Sequence, residues 1–302
     1  VQKWLGTIRA YDKEFEPWAG RTEKILKRYK DERRQTTGTK VSSRFNILWS
    51  NVQTLVPATF ARLPQPDVTR RFSDRDPVGR VASLILERAL DYEIQHYTDY
   101  RATLRADIFD RFLGGRGTAW ARYEPHSRSA ALQQPIDGTQ VSEDEVTPAA
   151  EEVLDYECAP VDYVHWRDFG HTVARTWEEV PAVWRKVYMS RAACVERFGK
   201  KGEKIPLDAS PEDLKQAERE NPELTEQRRA AVYEIWDKSK KEALWLSKSM
   251  KEILDRQDDP LKIESFFPCP RPLYATLTND SLIPTPDFAL YQDQADELDL
   301  LS

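Results

Sequence analysis

Apolar residues recur at helical spacing in the first third of the chain, and each such stretch predicts a helix. Between residues 44 and 62, one apolar face has steps of four, three and four: Leu48, Val52, Leu55 and Thr59. A strongly charged surface helix is predicted over residues 21–34. A third helix begins after Asp76, a helix-capping residue that is followed by proline, and runs to about residue 113 with a break near 96–98.

The pattern changes after Gly114 and Gly115, where strand-like alternation replaces helical spacing. Leu154, Tyr156 and Cys158 alternate with acidic residues, which is typical of a half-buried strand. Residues 230–237 and 243–247 predict a hairpin. The intervening residues 124–152 carry few large apolar side chains and predict a long loop or flexible flap.

These elements together predict an α+β fold. We expect an N-terminal helical part at residues 1–117 and a mixed part at residues 118–286. Residues 287–302 are expected to begin a further helix.

The charge balance limits the classes of partner. The 302 residues contain 45 Lys and Arg against 51 Asp and Glu, for a net charge of −6. A protein that binds the DNA backbone tightly usually has a basic excess, so tight non-specific DNA binding is disfavoured.

The apolar runs and the cysteines indicate the compartment. The longest apolar runs are far shorter than the ~20 residues that cross a bilayer, and we expect a soluble chain made in the cytosol. Its three cysteines, Cys158, Cys194 and Cys269, are far apart and are expected to be reduced thiols.

The chain has no local signature of an enzyme. Residues 114–117 are rich in glycine, but they follow a helix and lack the Gly-Lys-Ser/Thr of a phosphate-binding loop, so they predict a helix stop. The nucleophile motif Gly-x-Ser-x-Gly is also absent. We therefore predict that the chain is not an enzyme, with no catalytic residue and no cofactor.

Two groups of side chains have metal-ligating chemistry without a convincing spacing. The first group is His165, Asp168 and His171, which we interpret as an aromatic-packed surface turn because a fourth ligand is missing. The second is an acidic loop before Pro260 that is able to hold Ca²⁺ or Mg²⁺, although a solvated turn is the simpler interpretation: Asp255, Asp258 and Asp259. We predict no metal site at either position.

Two basic pairs are candidates for contact with DNA or with an acidic partner. They are Arg33 with Arg34 and Arg70 with Arg71. An exposed helix end or strand edge is the simpler interpretation of each pair.

Seven blocks of sequence, taken in order, resemble the portal proteins of short-tailed, double-stranded DNA phages, the P22-like family. The first is the run from Arg44 to Leu55, which closes on Pro64-Gln65-Pro66. The others are residues 74–90, 162–169, 175–180, 232–238, 266–272 and 284–288. Each block is moderately specific, and in order they extend from about residue 40 to the C-terminal region.

The resemblance implies a structural portal subunit in a virion. Such subunits form a ring, normally of twelve copies, at one capsid vertex, and the ring is assembled in the host cytoplasm. Double-stranded DNA passes through the ring without sequence-specific binding during packaging and ejection. The implied partners are the large terminase subunit, the major capsid and scaffolding proteins, and a head-to-tail adaptor; no membrane is involved.

The resemblance also implies a role for the last helix. The portal-type fold would place residues 1–286 in an outer wing, while residues 287–302 would lead into the channel-lining stem. The candidate channel-facing carboxylates are Asp293, Asp296, Glu297 and Asp299. Portal subunits are longer than this chain, so we expect the native chain to continue.

Two rival functions remain open at this stage. One is a metal-dependent phage nuclease that uses the acidic residues at 255–259. The other is a monomeric tail or minor capsid adaptor, which differs from a portal mainly in copy number and symmetry.

Overall fold

A computed structural model describes residues 1–31, 46–70, 76–96, 99–130, 151–208 and 228–301. The described chain is a mixed α+β protein, as predicted. Its helices are α1 (Gln2–Tyr29), α2 (Ile47–Thr59), α3 (Pro77–His96), α4 (Tyr100–Leu113), α5 (Arg191–Phe198), α6 (Lys200–Glu203) and α7 (Gln292–Leu301). Two single 3₁₀ turns, Trp177–Glu179 and Asp287–Leu290, add to them.

The strands are short and follow α4. They are β1 (Arg116–Gly117), β2 (Ala119–Ala121), β3 (Glu124–Ala130), β4 (Glu151–Cys158), β5 (Val161–Tyr163), β6 (Phe169–His171), β7 (Ala182–Met189), β8 (Ala230–Asp237), β9 (Glu242–Leu246), β10 (Asp255–Asp258) and β11 (Leu273–Tyr274).

The chain folds into two compact units, each built from separate stretches of sequence. Unit 1 contains Val1–Leu63, Arg101–Trp120 and Tyr163–Ser302, and unit 2 contains Pro64–Tyr100 and Ala121–Asp162. These units cut across the segments 1–117, 118–286 and 287–302, because those segments follow sequence order and the units do not.

Unit 1 is organised around a five-stranded antiparallel sheet of order β10-β9-β8-β7-β6. The predicted hairpin is confirmed, since β8 pairs with β9 from Tyr233 opposite Leu246 to Asp237 opposite Glu242. Alternation along β7 buries both faces, because Trp184 packs in one core cluster and Val183 in another.

Helix α1 covers one face of this sheet. Its buried side chains recur every three or four residues: Trp4, Ile8, Tyr11, Phe15, Trp18, Thr22 and Ile25. The helix predicted over residues 21–34 therefore starts much earlier than expected. Its exposed Arg21, Lys24 and Lys27 and its buried Ile25 agree with a surface helix that has one apolar side. The helix begins at Gln2, and its aromatic stripe forms a core with Trp184, Ile235 and Leu244 of the sheet.

The next helix differs from its prediction in which side chains are buried. Asn46 caps α2 by accepting the backbone N–H of Trp49 at 3.1 Å. Leu48, Val52 and Val56 are buried, whereas Leu55 is 44% exposed. The predicted face through Leu55 was wrong, because four-residue steps from Leu48 keep Val56 on the buried side.

The start and the end predicted for the third helix are confirmed, whereas the helix expected from residue 287 begins at Gln292, after a 3₁₀ turn. Asp76 caps α3 by accepting the backbone N–H groups of Val78 and Gly79 at 3.0 and 3.1 Å. Helix α4 stops before Gly115, whose φ of 85° favours glycine.

Unit 2 contains α3 and a two-stranded antiparallel ribbon formed by β3 and β4. The predicted loop at residues 124–152 was therefore wrong at both ends, since Glu124–Ala130 pairs with Glu151–Cys158. The rest of that predicted flap, residues 131–150, lies outside the described residues.

Candidate functional site

Helix α3 of unit 2 exposes an unusual amount of apolar surface. None of its 20 residues is buried. Its large apolar side chains are exposed over the whole length of the helix: Val78, Val81, Leu84, Ile85, Leu86, Leu90 and Tyr92. We call this set the α3 surface. Exposed large apolar side chains in such number on one helix are typical of a site of association with another molecule.

The ribbon of the same unit also exposes apolar side chains. Tyr123, Val153, Leu154 and Tyr156 are each at least 38% exposed. Isolated two-stranded ribbons are marginally stable in water. The ribbon is therefore a second element of unit 2 that lacks a covering layer among the described residues.

The four predicted channel-facing carboxylates lie on α7, but they do not share one environment. Asp293, Asp296 and Glu297 are exposed and Asp299 is half-buried. Asp299 forms an ion pair with Arg28, at 2.5 Å between Oδ2 and Nη2, and Asp296 lies 4.0 Å from the same guanidinium. Part of the negative charge on α7 is thus matched within the chain.

Of the four basic residues predicted as contacts, only Arg70 is described. Its Nη1 donates to the carbonyl oxygen of Asp76 at 2.9 Å, so the guanidinium packs at the start of α3. Arg33, Arg34 and Arg71 lie outside the described residues.

The sequence candidates for a metal site do not converge within the described ranges. His165 is exposed, His171 is fully buried, and Asp168 accepts a 2.8 Å ion pair from Lys186. Two residues of the acidic loop, Asp255 and Asp258, lie in strand β10, whereas Asp259 follows it in a bend before Pro260, where a turn was predicted. Because residues three apart in a strand point to opposite faces, Asp255 and Asp258 are kept apart; Asp255 instead pairs with Arg197 at 3.0 Å.

A different trio brings three metal-ligating groups together on the ribbon of unit 2. Donor atoms of Glu124, His126 and Cys158 all lie within 4.8 Å of one another, and no other such group of three or more occurs in the described residues. Sequence reasoning missed this site because it assigned residue 124 onward to a loop. The available signal was Glu-x-His followed by the cysteine of a predicted strand.

Unit 1 contains a buried cation at the point predicted to be a helix stop. Arg116 is fully buried, and its guanidinium donates to the Tyr11 hydroxyl and to the carbonyl oxygens of Trp166 and Phe169 at 2.7 to 3.2 Å. Four aromatic rings lie within 6.0 Å of it: Tyr11, Phe15, Trp18 and Phe169. This arrangement holds α1 against β1 and the sheet.

Comparison with known proteins does not assign the chain to a family. No protein-family model matches it, and no curated protein sequence matches it either. Among the described helices, none has the long apolar stretch that a bilayer-spanning segment requires.

Proposed function

We propose that this chain is a subunit of a phage portal ring with a portal-type fold. In this proposal, identical copies assemble at one capsid vertex into a channel for double-stranded DNA. The α3 surface carries the proposal, because a helix of 20 residues without one buried side chain is suited to be covered by a neighbouring copy. The sequence resemblance supplies the class of assembly.

The charge of the chain also supports a channel that releases DNA. The net charge is −6, and Asp293 and Glu297 on α7 are exposed. Negative charge along a channel repels phosphates and discourages sticking. In the ring, α7 would lead toward the stem, with the terminase, scaffold, capsid and adaptor contacts lying on other parts of the subunit.

The test is electron microscopy of the purified full-length protein, with end-on views sorted by rotational symmetry. The proposal expects rings with a central hole wide enough for duplex DNA. Compact monomers at high concentration, with no ring even beside a scaffold partner, contradict it. Such monomers would favour the alternative of a monomeric tail or minor capsid adaptor.

A pair of variants tests the α3 surface itself. Val81→Ser with Ile85→Ser removes two side chains that are 56% and 62% exposed. Because hot-spot side chains each contribute more than about 1 kcal/mol to association, the change should lower the ring-forming fraction at least about tenfold. Val173→Ser, at a similarly exposed residue of unit 1, is the matched control and should assemble normally. Unchanged ring formation by the double variant would exclude the α3 surface as an interface.

The nuclease alternative has no support from the arrangement of its carboxylates on β10. It predicts Mg²⁺-dependent cleavage of DNA that is abolished by Asp258→Asn, and an assay of the purified protein would detect it.

A further inference from the structure

The ribbon of unit 2 carries three metal-ligating side chains on one face. Glu124 and His126 are two residues apart on β3, so both side chains point to the same side of the ribbon. Cys158, the last residue of β4, lies directly opposite Glu124 in the antiparallel register. This register explains why an oxygen, a nitrogen and a sulfur donor come within 4.8 Å of one another.

Neighbouring residues hold each of the three groups in place. The imidazole of His126 stacks on the ring of its cross-strand partner Tyr156, with centroids 4.3 Å apart. The Glu124 carboxylate accepts a hydrogen bond from Arg122 at 3.3 Å, and the Cys158 thiol donates to the carbonyl oxygen of Glu124 at 3.6 Å. Arg122 is itself bound to both carboxylate oxygens of Asp162, which offsets its charge beside the cluster.

We propose that Glu124, His126 and Cys158 form a binding site for Zn²⁺. Thiolate, imidazole and carboxylate are the three side-chain groups that bind zinc, whereas Mg²⁺ and Ca²⁺ select oxygen donors. Binding converts the Cys158 thiol into a thiolate, and its proton leaves to solvent with no change of oxidation state.

Three protein ligands leave one position of a tetrahedral ion for water or a fourth side chain. The carboxylate of Glu93 accepts a 2.6 Å hydrogen bond from the backbone N–H of Ala159, next to Cys158. This hydrogen bond places the Glu93 carboxylate one residue from Cys158 along the chain, which makes Glu93 a candidate for the fourth position.

The position of the site defines what the ion does. Glu124 begins β3 and Cys158 ends β4, so the ion ties the two strands together at the base of the ribbon. The strand register is irregular between His126 and Ser127, immediately beyond the ligands. A Zn²⁺ clamp therefore fixes the pairing at the end where the ribbon joins the rest of unit 2.

The experiment is a titration of the metal-free, reduced full-length protein with Zn²⁺ alone by calorimetry, repeated with Co²⁺ to observe thiolate-to-metal charge-transfer absorption. We expect one Zn²⁺ per chain. His126→Gln and Cys158→Ser should each weaken binding at least about tenfold, since even groups that only orient a ligand contribute that much. Cys158→Ser should also abolish the charge-transfer band.

The chain offers a matched control for the histidine variant. The imidazole of His96 also stacks on a tyrosine, Tyr92, at 4.0 Å and in the same unit, but it is not part of the cluster. His96→Gln should leave Zn²⁺ affinity within about twofold.

Three outcomes would overturn the proposal. One is the lack of saturable Zn²⁺ binding by the wild-type protein, and another is affinity that His126→Gln leaves unchanged. The third is a Co²⁺ charge-transfer band that persists in Cys158→Ser. If Cys158→Ser does not fold, His126→Gln still decides, because His126 is only half-buried. Ring formation is scored separately by microscopy, so either proposal is able to fail alone.

Discussion

The hydroxyl of Tyr163 donates a hydrogen bond to a carboxylate oxygen of Asp110, with 2.5 Å between the two oxygens. Asp110 lies one turn after Asp107 on α4, and both carboxyl groups are buried. Burial raises the pKa of Asp107 to about 7, and the negative charge of Asp110 adds to this effect. Burial likewise raises the pKa of Asp110 to about 7, although the Tyr163 hydrogen bond acts in the opposite direction.

This pair should make stability fall as pH rises from about 4 to about 7. In that window the folded state keeps protons that the unfolded state releases, so each carboxyl lowers the free energy of unfolding by at most about 1.4 kcal/mol per pH unit. Asp110→Asn removes one of the two titrations. When the pH is raised from 5 to 8, the free energy of unfolding should therefore fall less in the variant than in the wild type. We expect this difference to be on the order of 1–2 kcal/mol.

Urea unfolding of both proteins at the two pH values measures that difference. A stability difference that does not change with pH would show that Asp110 titrates near its ordinary range in the folded protein.

His171 should have the opposite effect on stability, because its contribution is lost as the pH is lowered. Burial, with a smaller contribution from Arg116, lowers the pKa of its imidazole to about 3. Its folded-state pKa lies below the unfolded value, so the stability it contributes is lost as pH falls from about 6.5 toward 3.

The measurement for His171 is NMR of the imidazole nitrogens. Nδ1 lies 2.9 Å from the carbonyl oxygen of Thr172, which only accepts, so Nδ1 carries the proton. We expect a neutral Nδ1–H ring at about pH 5. Protonation of His171 near pH 6.5 in the folded protein would contradict the burial argument.

Gly117 should not tolerate a side chain. A Cβ atom at this residue would lie 1.9 Å from the backbone carbonyl oxygen of Asp107. Because backbone atoms must move to relieve the clash, we expect Gly117→Ala to lower the free energy of unfolding by about 2–4 kcal/mol.

Gly20→Ala is the control for that change. Gly20 lies inside α1 with no atom within 4 Å of an added Cβ, so alanine should stabilise the helix by about 0.5–1 kcal/mol. Denaturant unfolding measures the free energy of unfolding of both variants. If Gly117→Ala were no more destabilising than Gly20→Ala, β1 would have to move away from α4 to make room for the added Cβ.

The ion pair between Arg28 and Asp299 should contribute to the attachment of α7. Arg28 is buried, and removing its partner leaves a positive charge in a poorly hydrated site. We expect Asp299→Asn to lower the free energy of unfolding by about 2 kcal/mol. Asp293→Asn, on the exposed side of the same helix, should change stability by less than about 0.5 kcal/mol. Equal values for the two variants, measured by thermal unfolding, would exclude the pairing.

The sequence predicted local boundaries well where one residue decides them. Three predictions are confirmed: the helix start at Asp76, the helix stop at Gly115 and the hairpin of β8 and β9. Each depends on helix capping, a left-handed backbone conformation or alternation, which act over a few residues. Ser190 caps α5 in the same local way, by accepting the N–H of Ala193 at 3.3 Å.

The predictions failed where distant residues decide the outcome. Residues 124–130 are too polar to resemble a strand, and they form one only because β4 supplies hydrogen bonds from more than 20 residues away. The stripe from Trp4 to Ile25 had the period of a buried helix and was available in the sequence. The burial of Arg116, by contrast, could not be predicted from the sequence, since nothing local indicates that four aromatic rings surround it.

The long separation between α1 and its sheet constrains the order of folding. The Tyr11 hydroxyl bonds the carbonyl oxygen of Phe169, 158 residues later. During synthesis, the aromatic stripe of α1 leaves the ribosome well before any strand that covers it. Nascent chains should therefore expose an aggregation-prone apolar helix until β9 has been synthesised. The yield of folded protein should depend on chaperones that shield apolar segments.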